Sequence, residues 1–134
     1  MTLQAENRSD LVKIRLQKAK ETYAEINSFV QLKYWRTAAN RLYYSCFYAV
    51  SALLIKNEIK AHTHSGIISQ FGLNFVITDI FSQAEGKFYK KLFELRQTGD
   101  YDDWVTISEN DIIPLIEPSK NFIDKIEQLI LYKI

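Results

Sequence analysis

The eleven residues from Glu94 to Trp104, ELRQTGDYDDW, hold five side chains suited to polar chemistry: Arg96, Asp100, Tyr101, Asp102 and Asp103. A guanidinium is permanently charged and forked, so Arg96 suits a phosphate or a carboxylate. Carboxylates this near can instead pair with it, pair with Lys90 and Lys91, or close Asx-turns on the loop backbone. Charge clusters at helix exits are usually solvated scaffolding, and on residue chemistry alone that reading outweighs a ligand site.

A second polar group, His62-Thr63-His64-Ser65, stands earlier in the chain. Zinc sites need three or four convergent ligands, no cysteine cluster accompanies the histidines, and the remaining carboxylates are distant, so no metal site is expected. Ser65 beside His64 has the same weakness as a nucleophile pair, because sequence neighbours rarely share the required geometry. Gly66, Gly72, Gly86 and Gly99 are isolated and no strand precedes them, which argues against a phosphate-cradling glycine loop. No cofactor is expected either. The single cysteine, Cys46, lies in an apolar run, which suits a core role and a reducing compartment.

These side chains must be positioned by helices. With 134 residues, four glycines, two prolines and no sustained alternation of apolar and polar positions, the chain reads as one all-α domain over residues 1–134. Residues 1–8 read as a loose tail. The expected architecture is an up-and-down bundle of about five helices. The first runs from Ser9 or Asp10 to Phe29 with Val12, Leu16, Ala19, Tyr23 and Ile26 as its stripe. The second, Tyr34 to Asn57, is apolar on nearly every side, as a central helix should be. Arg41, Tyr44 and Tyr48 form a polar-tipped line on it, and a buried arginine there has to be paired or reach water.

Ala61 to Thr78 carries no formal charge apart from protonated histidine, so part of it should face another helix or another subunit. Thr63 or Ser65 caps a short third helix presenting Ile67, Ile68, Phe71 and Phe75 to the core. The fourth helix, Gln83 to Gln97, turns Phe88, Leu92 and Leu95 inward, and Gly99 supplies its stop. Ser108 with Asp111 resembles a capping box for the fifth, whose inward face holds Phe122, Ile126, Leu129 and Ile130. Pro114 and Pro118 each remove a helical hydrogen bond, predicting a kink or a start nearer Glu117.

The net charge of +1 advertises neither nucleic acid nor an acidic membrane. The longest charge-free apolar segment, Leu42 to Ile55, is short of the roughly 20 residues of a membrane span, and it carries serines and tyrosines. The N-terminus lacks a signal-peptide pattern, so the expected address is the cytoplasm.

AANRLYYSCFYAVSALL (Ala38 to Leu54), THSGIISQFGLNFV (Thr63 to Val76) and LRQTGDYDD (Leu95 to Asp103), in that order and before a final amphipathic helix, resemble the HEPN superfamily. The likeness is closest to its small stand-alone prokaryotic members. It covers nearly all of the chain after Asp10. It implies a five-helix bundle, often a homodimer with a polar site where subunits meet. Many members are metal-independent ribonucleases or toxins partnered by a nucleotidyltransferase antitoxin. Their signature is an arginine followed, after four to six residues, by a histidine.

Here four residues follow Arg96 and the next is Tyr101. A phenol near pH 10 is a weak base at neutral pH, whereas histidine titrates near 6.5. The resemblance therefore implies two competing roles. In one, a ribonuclease uses Arg96 for phosphate charge, Tyr101 or His64 for the proton, and Asp100 for orientation. In the other, a non-catalytic module binds RNA, a nucleotide or the nucleotidyltransferase, with Tyr101 as a docking or modification point. A purely structural role for Arg96, pinning the fourth helix to the fifth, is the remaining alternative.

Overall fold

The computed structural model describes residues 5–132. It is an all-α bundle: α1 (Ala5–Gln31), α2 (Trp35–Lys56), α3 (His64–Phe71) continued by a π-helical turn (Gly72–Val76), α4 (Gln83–Tyr101) and α5 (Glu109–Tyr132). α1 begins earlier than its capping residues suggest and takes in residues 5–8 of the expected tail, while residues 1–4 lie outside the described residues. Among the described residues, no helix is long and apolar enough to cross a membrane.

α2 is the hub, packing against α1, α3, α4 and α5. Its all-round apolarity follows from that place: Ala38, Leu42, Tyr43, Cys46, Ala49, Val50 and Leu53 are buried. Each large apolar side chain so buried contributes about 1.5–3 kcal/mol. Cys46 is sealed inside, and burial pushes its thiol up to about 12, which leaves it inert as a nucleophile. On α1 the stripe Val12, Leu16, Ala19 and Ile26 is buried, Thr22 joins it, and Tyr23 is only half-buried.

Both ends of the α1–α2 hairpin turn without glycine. Lys33 and Glu58 take positive φ, 60° and 57°, just past α1 and α2. Paired bonds close each turn: Tyr34 N–H to Phe29 O and Lys33 N–H to Val30 O, then Ile59 N–H to Leu54 O and Glu58 N–H to Ile55 O. Thr63 caps α3, its Oγ1 accepting from Gly66 N–H at 2.9 Å. A Cβ on Gly66 would lie 2.9 Å from that oxygen, so the cap needs glycine there. Ile67, Phe71 and Phe75 face the core as expected, whereas Leu73 and Ile77 stay exposed.

Two expectations about the helices are corrected, and one core residue is added. Gly99 does not stop α4, which runs on to Tyr101; it is buried, and an added Cβ would meet Ile107 Cδ1 at 3.0 Å and Arg36 O at 3.6 Å. Its smallness serves close packing instead of a left-handed turn. The prolines do not delay α5 to Glu117: the helix starts at Glu109 and continues through both. Pro114 and Pro118 are exposed and four residues apart, so both missing hydrogen bonds fall on the outer side of α5. Tyr89, unforeseen, joins Leu92 as a fully buried residue of α4, and Phe88 and Leu95 are half-buried.

Candidate functional site

Because α4 extends past Gly99, Arg96 sits more than a turn inside it and Asp100 lies one turn later on the same face. The Arg96 side chain is 11% exposed. Its Nη2 donates to the Tyr44 hydroxyl at 3.0 Å, and its Cζ lies 5.3, 5.6 and 5.8 Å from the ring centroids of Tyr44, Tyr101 and Tyr43. Cations within about 6 Å of aromatic faces are held by the ring quadrupole. The Nε atom lies 3.0 Å from Asp100 Oδ2, yet its N–H is not aimed at that oxygen and remains a buried donor without a hydrogen bond. Among the described residues Nη1 makes no hydrogen bond. A guanidinium so placed is only partly satisfied, and an incoming anion can complete it.

Asp100 is tied to α2 as well. Asn40 Nδ2 donates to its Oδ2 at 3.2 Å, and Asn40 Oδ1 accepts from Arg41 Nη2 at 2.7 Å. Arg41 in turn pairs with Glu25 at 3.4 Å and stands 5.7 Å over the Tyr44 ring. Arg41 is thus paired, as a half-buried arginine must be. Lys90 and Lys91 make no ion pair with the acidic trio among the described residues. Asp102 Oδ1 accepts from Trp104 N–H at 2.9 Å, an Asx-turn of the expected kind.

His64, from a segment more than thirty residues before Arg96, lies on the same rings. Its centroid is 5.5 Å from Tyr43, 5.9 Å from Tyr44, 5.0 Å from Phe47 and 6.0 Å from Phe93. Its Nδ1 is 2.7 Å from the Tyr43 hydroxyl. Burial, and then the Arg96 charge, lower its pKa from 6.5, so the imidazole is neutral at pH 7. Its position as first residue of α3 acts in the same direction, since a helix N-terminus disfavours a cation. Burial pushes the Tyr43 phenol up to about 12, which keeps it protonated. When Nδ1–H donates to the phenol oxygen, Nε2 presents a lone pair, and no hydrogen bond among the described residues occupies it. A neutral imidazole with an unoccupied ring nitrogen can accept a proton.

The structure thus brings together Arg96, Asp100, Tyr101 and His64. Tyr101 closes α4 with 71% of its surface exposed. His62 stays exposed and has no ring contact or ion pair with these four among the described residues. Among the described residues, no three His, Cys, Asp or Glu side chains gather as a metal site would require. Sequence reasoning missed Arg36, Asn40 and Tyr43. Arg36 donates to Gly99 O at 2.8 Å, to Thr98 O at 3.3 Å and to Val105 O, holding the end of α4 and the loop after it. One signal was available: a cation in the first turn of α2 is unfavourable for its own helix dipole and serves the C-terminus of another.

The HEPN domain model matches residues 12–129. The chain belongs to the HEPN domain family. Among its relatives, a UPF0332 protein of Thermotoga maritima is 36% identical over 113 residues, which cover 84% of this chain and 86% of that protein. A protein of Methanocaldococcus jannaschii, provisionally named a toxin, is 27% identical over 118 residues, covering 88% of this chain and 80% of its own length. A UPF0332 protein of Pyrococcus horikoshii is 40% identical over 53 residues, 40% of this chain and 37% of its own. The all-α bundle is the fold this HEPN membership implies. In this HEPN chain the imidazole near Arg96 comes from α3, and the residue that closes α4 beside Arg96 is Tyr101.

Proposed function

We propose that this chain is a toxin-like HEPN protein that cleaves RNA without a metal ion at the Arg96 site. The observation that carries this reading is the packing of Arg96 and His64 on the same two rings, Tyr43 and Tyr44. In the reaction, a 2′-hydroxyl attacks the adjacent phosphorus and His64 Nε2 takes its proton. Arg96 stabilises the charge that builds on the phosphoryl oxygens. Tyr101 donates a proton to the departing 5′-oxygen, leaving a 2′,3′-cyclic phosphate and a 5′-hydroxyl. Asp100 and Tyr44 orient the guanidinium. The toxin role rests on the name of the Methanocaldococcus relative, and a nucleotidyltransferase antitoxin is the partner that the family resemblance brings with it. A homodimer is the matching assembly, and exposed Leu73 and Ile77 offer it an apolar patch.

A second reading, a binding module without catalysis, is favoured by two features. Asp100 already stands against Arg96, and the Tyr101 hydroxyl makes no hydrogen bond among the described residues and lies open for docking or modification. The discriminating assay is cleavage of RNA by pure protein, with and without chelator, for wild type, Arg96→Ala, His64→Asn and Tyr101→Phe. Cleavage by wild type in chelator, lost in Arg96→Ala and His64→Asn, is the expected result. Cleavage that survives Arg96→Ala removes the site assignment. An inert wild type that still binds a nucleotide or RNA establishes the second reading.

A further inference from the structure

The Arg96 site is one end of a longer surface. Arg41, Tyr44, Phe47, Tyr48 and Ser51 recur at helical spacing on one face of α2. Their rings form a three-membered cluster: Tyr44 to Phe47 at 5.6 Å, Phe47 to Tyr48 at 5.6 Å, and Tyr44 to Tyr48 at 6.0 Å. All three residues are half-buried. Cations flank the cluster. Arg96 and Arg41 stand over Tyr44, Lys18 Nζ lies 5.3 Å from the Tyr48 ring, and Arg15 Nη1 donates to Ser51 Oγ at 2.9 Å. Asp100 and Glu25 neutralise the first two, whereas Arg15 and Lys18 have no ion pair among the described residues. At the far end, Phe47, Arg15, Ser51, Ile55 and His62 line a pocket of about 300 Å³. Phe47 is its shared wall with His64, whose ring is 5.0 Å away.

We propose that this face is a track for single-stranded RNA, running from the Arg96 site along α2 and ending at the Phe47 pocket, which receives an unstacked base. The proposal rests on the RNA-handling reading of the Arg96 site. Cations beside half-buried aromatic rings match a chain whose phosphates and bases are both accessible. Duplex RNA hides its bases in the stack and gives the rings nothing to contact. From Arg41 to Ser51 the helix rises roughly 15 Å, enough for more than one nucleotide. In the pocket, Arg15 and Ser51 supply hydrogen-bonding groups beside an apolar wall, the combination that reads a base edge.

The test is binding of labelled oligoribonucleotides, 2′-O-methylated so that the attacking hydroxyl is blocked, followed by anisotropy across a salt series. A trinucleotide, a longer single strand and a duplex of equal length are compared. Wild type is expected to hold the longer single strand more tightly than either of the others. The double variant Arg15→Gln with Lys18→Gln loses that gain with length, and its salt slope falls by about 0.7 through the lost Lys18 phosphate contact. Tyr48→Ala weakens the longer strand about fivefold or more through lost stacking. Tyr48→Leu, which fills more of the volume without a π-face, guards against misfolding as the cause, with circular dichroism as control.

Unchanged affinity in the double variant overturns the track and leaves this face to a protein partner. Equal binding of duplex and single strand overturns it as well. Trinucleotide binding that depends on Arg96 but gains nothing with length overturns the track alone. A wild type that binds no RNA overturns both the track and the ribonuclease reading.

Discussion

Replacing Arg96 by glutamine separates a working guanidinium from a structural pin, because the geometry sets different sizes for the two losses. The substitution removes a charged hydrogen bond to Tyr44, about 1.5–3 kcal/mol. It also removes the attraction to the surrounding rings, about 0.5–1 kcal/mol. The Asp100 pair adds no more than about 0.5 kcal/mol, since its N–H is misaligned and Asp100 reaches solvent. Opposing these, the buried Nε donor without a hydrogen bond disappears, which returns about 1–3 kcal/mol. The net expectation is a stability loss of about 1–2 kcal/mol. Removing a donor that stabilises transition-state charge should slow cleavage about 10²–10³-fold, or roughly 2.7–4 kcal/mol. Urea unfolding gives the first quantity, and single-turnover RNA cleavage per folded molecule gives the second. Cleavage per folded molecule equal to wild type, alongside a stability loss larger than the estimate, would show that Arg96 only pins the bundle.

The same arrangement makes the chemistry pH-dependent. Burial and Arg96 lower the His64 pKa, so cleavage should persist somewhat below pH 6.5 and fail on further acidification; Arg96→Gln should raise that pKa in an NMR titration, and a fall would refute the coupling. Since the unfolded chain then binds the proton more readily, His64 contributes stability that is present above about pH 6.5 and lost as pH falls toward its folded pKa. His64→Asn should flatten stability across that window in urea melts. Burial pushes the Glu85 carboxyl up, but the Ser82 N–H and Lys125 more than offset this and hold it low, so its contribution is lost as pH falls below about 4.5 through the folded pKa. Ser82→Ala, which removes the α4 cap, should cost about 0.5–2 kcal/mol by urea unfolding. Gly99→Ala should be nearly neutral, because the Ile107 tip can move and helix propensity improves by about 1 kcal/mol, whereas Gly99→Leu should cost about 1–3 kcal/mol. Sedimentation should show a dimer that Leu73→Glu with Ile77→Glu converts to monomer; a wild type that is monomeric at micromolar concentration removes the dimer.

What the sequence by itself determined is whatever depends on neighbours along the chain. The apolar circumference of α2 announced a central helix, and Thr63 or Ser65 announced a cap, which Thr63 supplies. Local rules misjudged α4 at Gly99, where close packing against Ile107 and Arg36 outweighs the tendency of glycine to end a helix. For α5 they left open a kink or a start nearer Glu117; the helix starts at Glu109 and takes in both prolines, which are exposed. Only the tertiary structure decided that His64 meets Arg96 over Tyr43 and Tyr44, and that Arg36 and Asn40 fasten the end of α4 from α2. Such contacts depend on how helices pack side by side, and helical periodicity fixes which face a residue occupies without fixing which neighbour that face will meet.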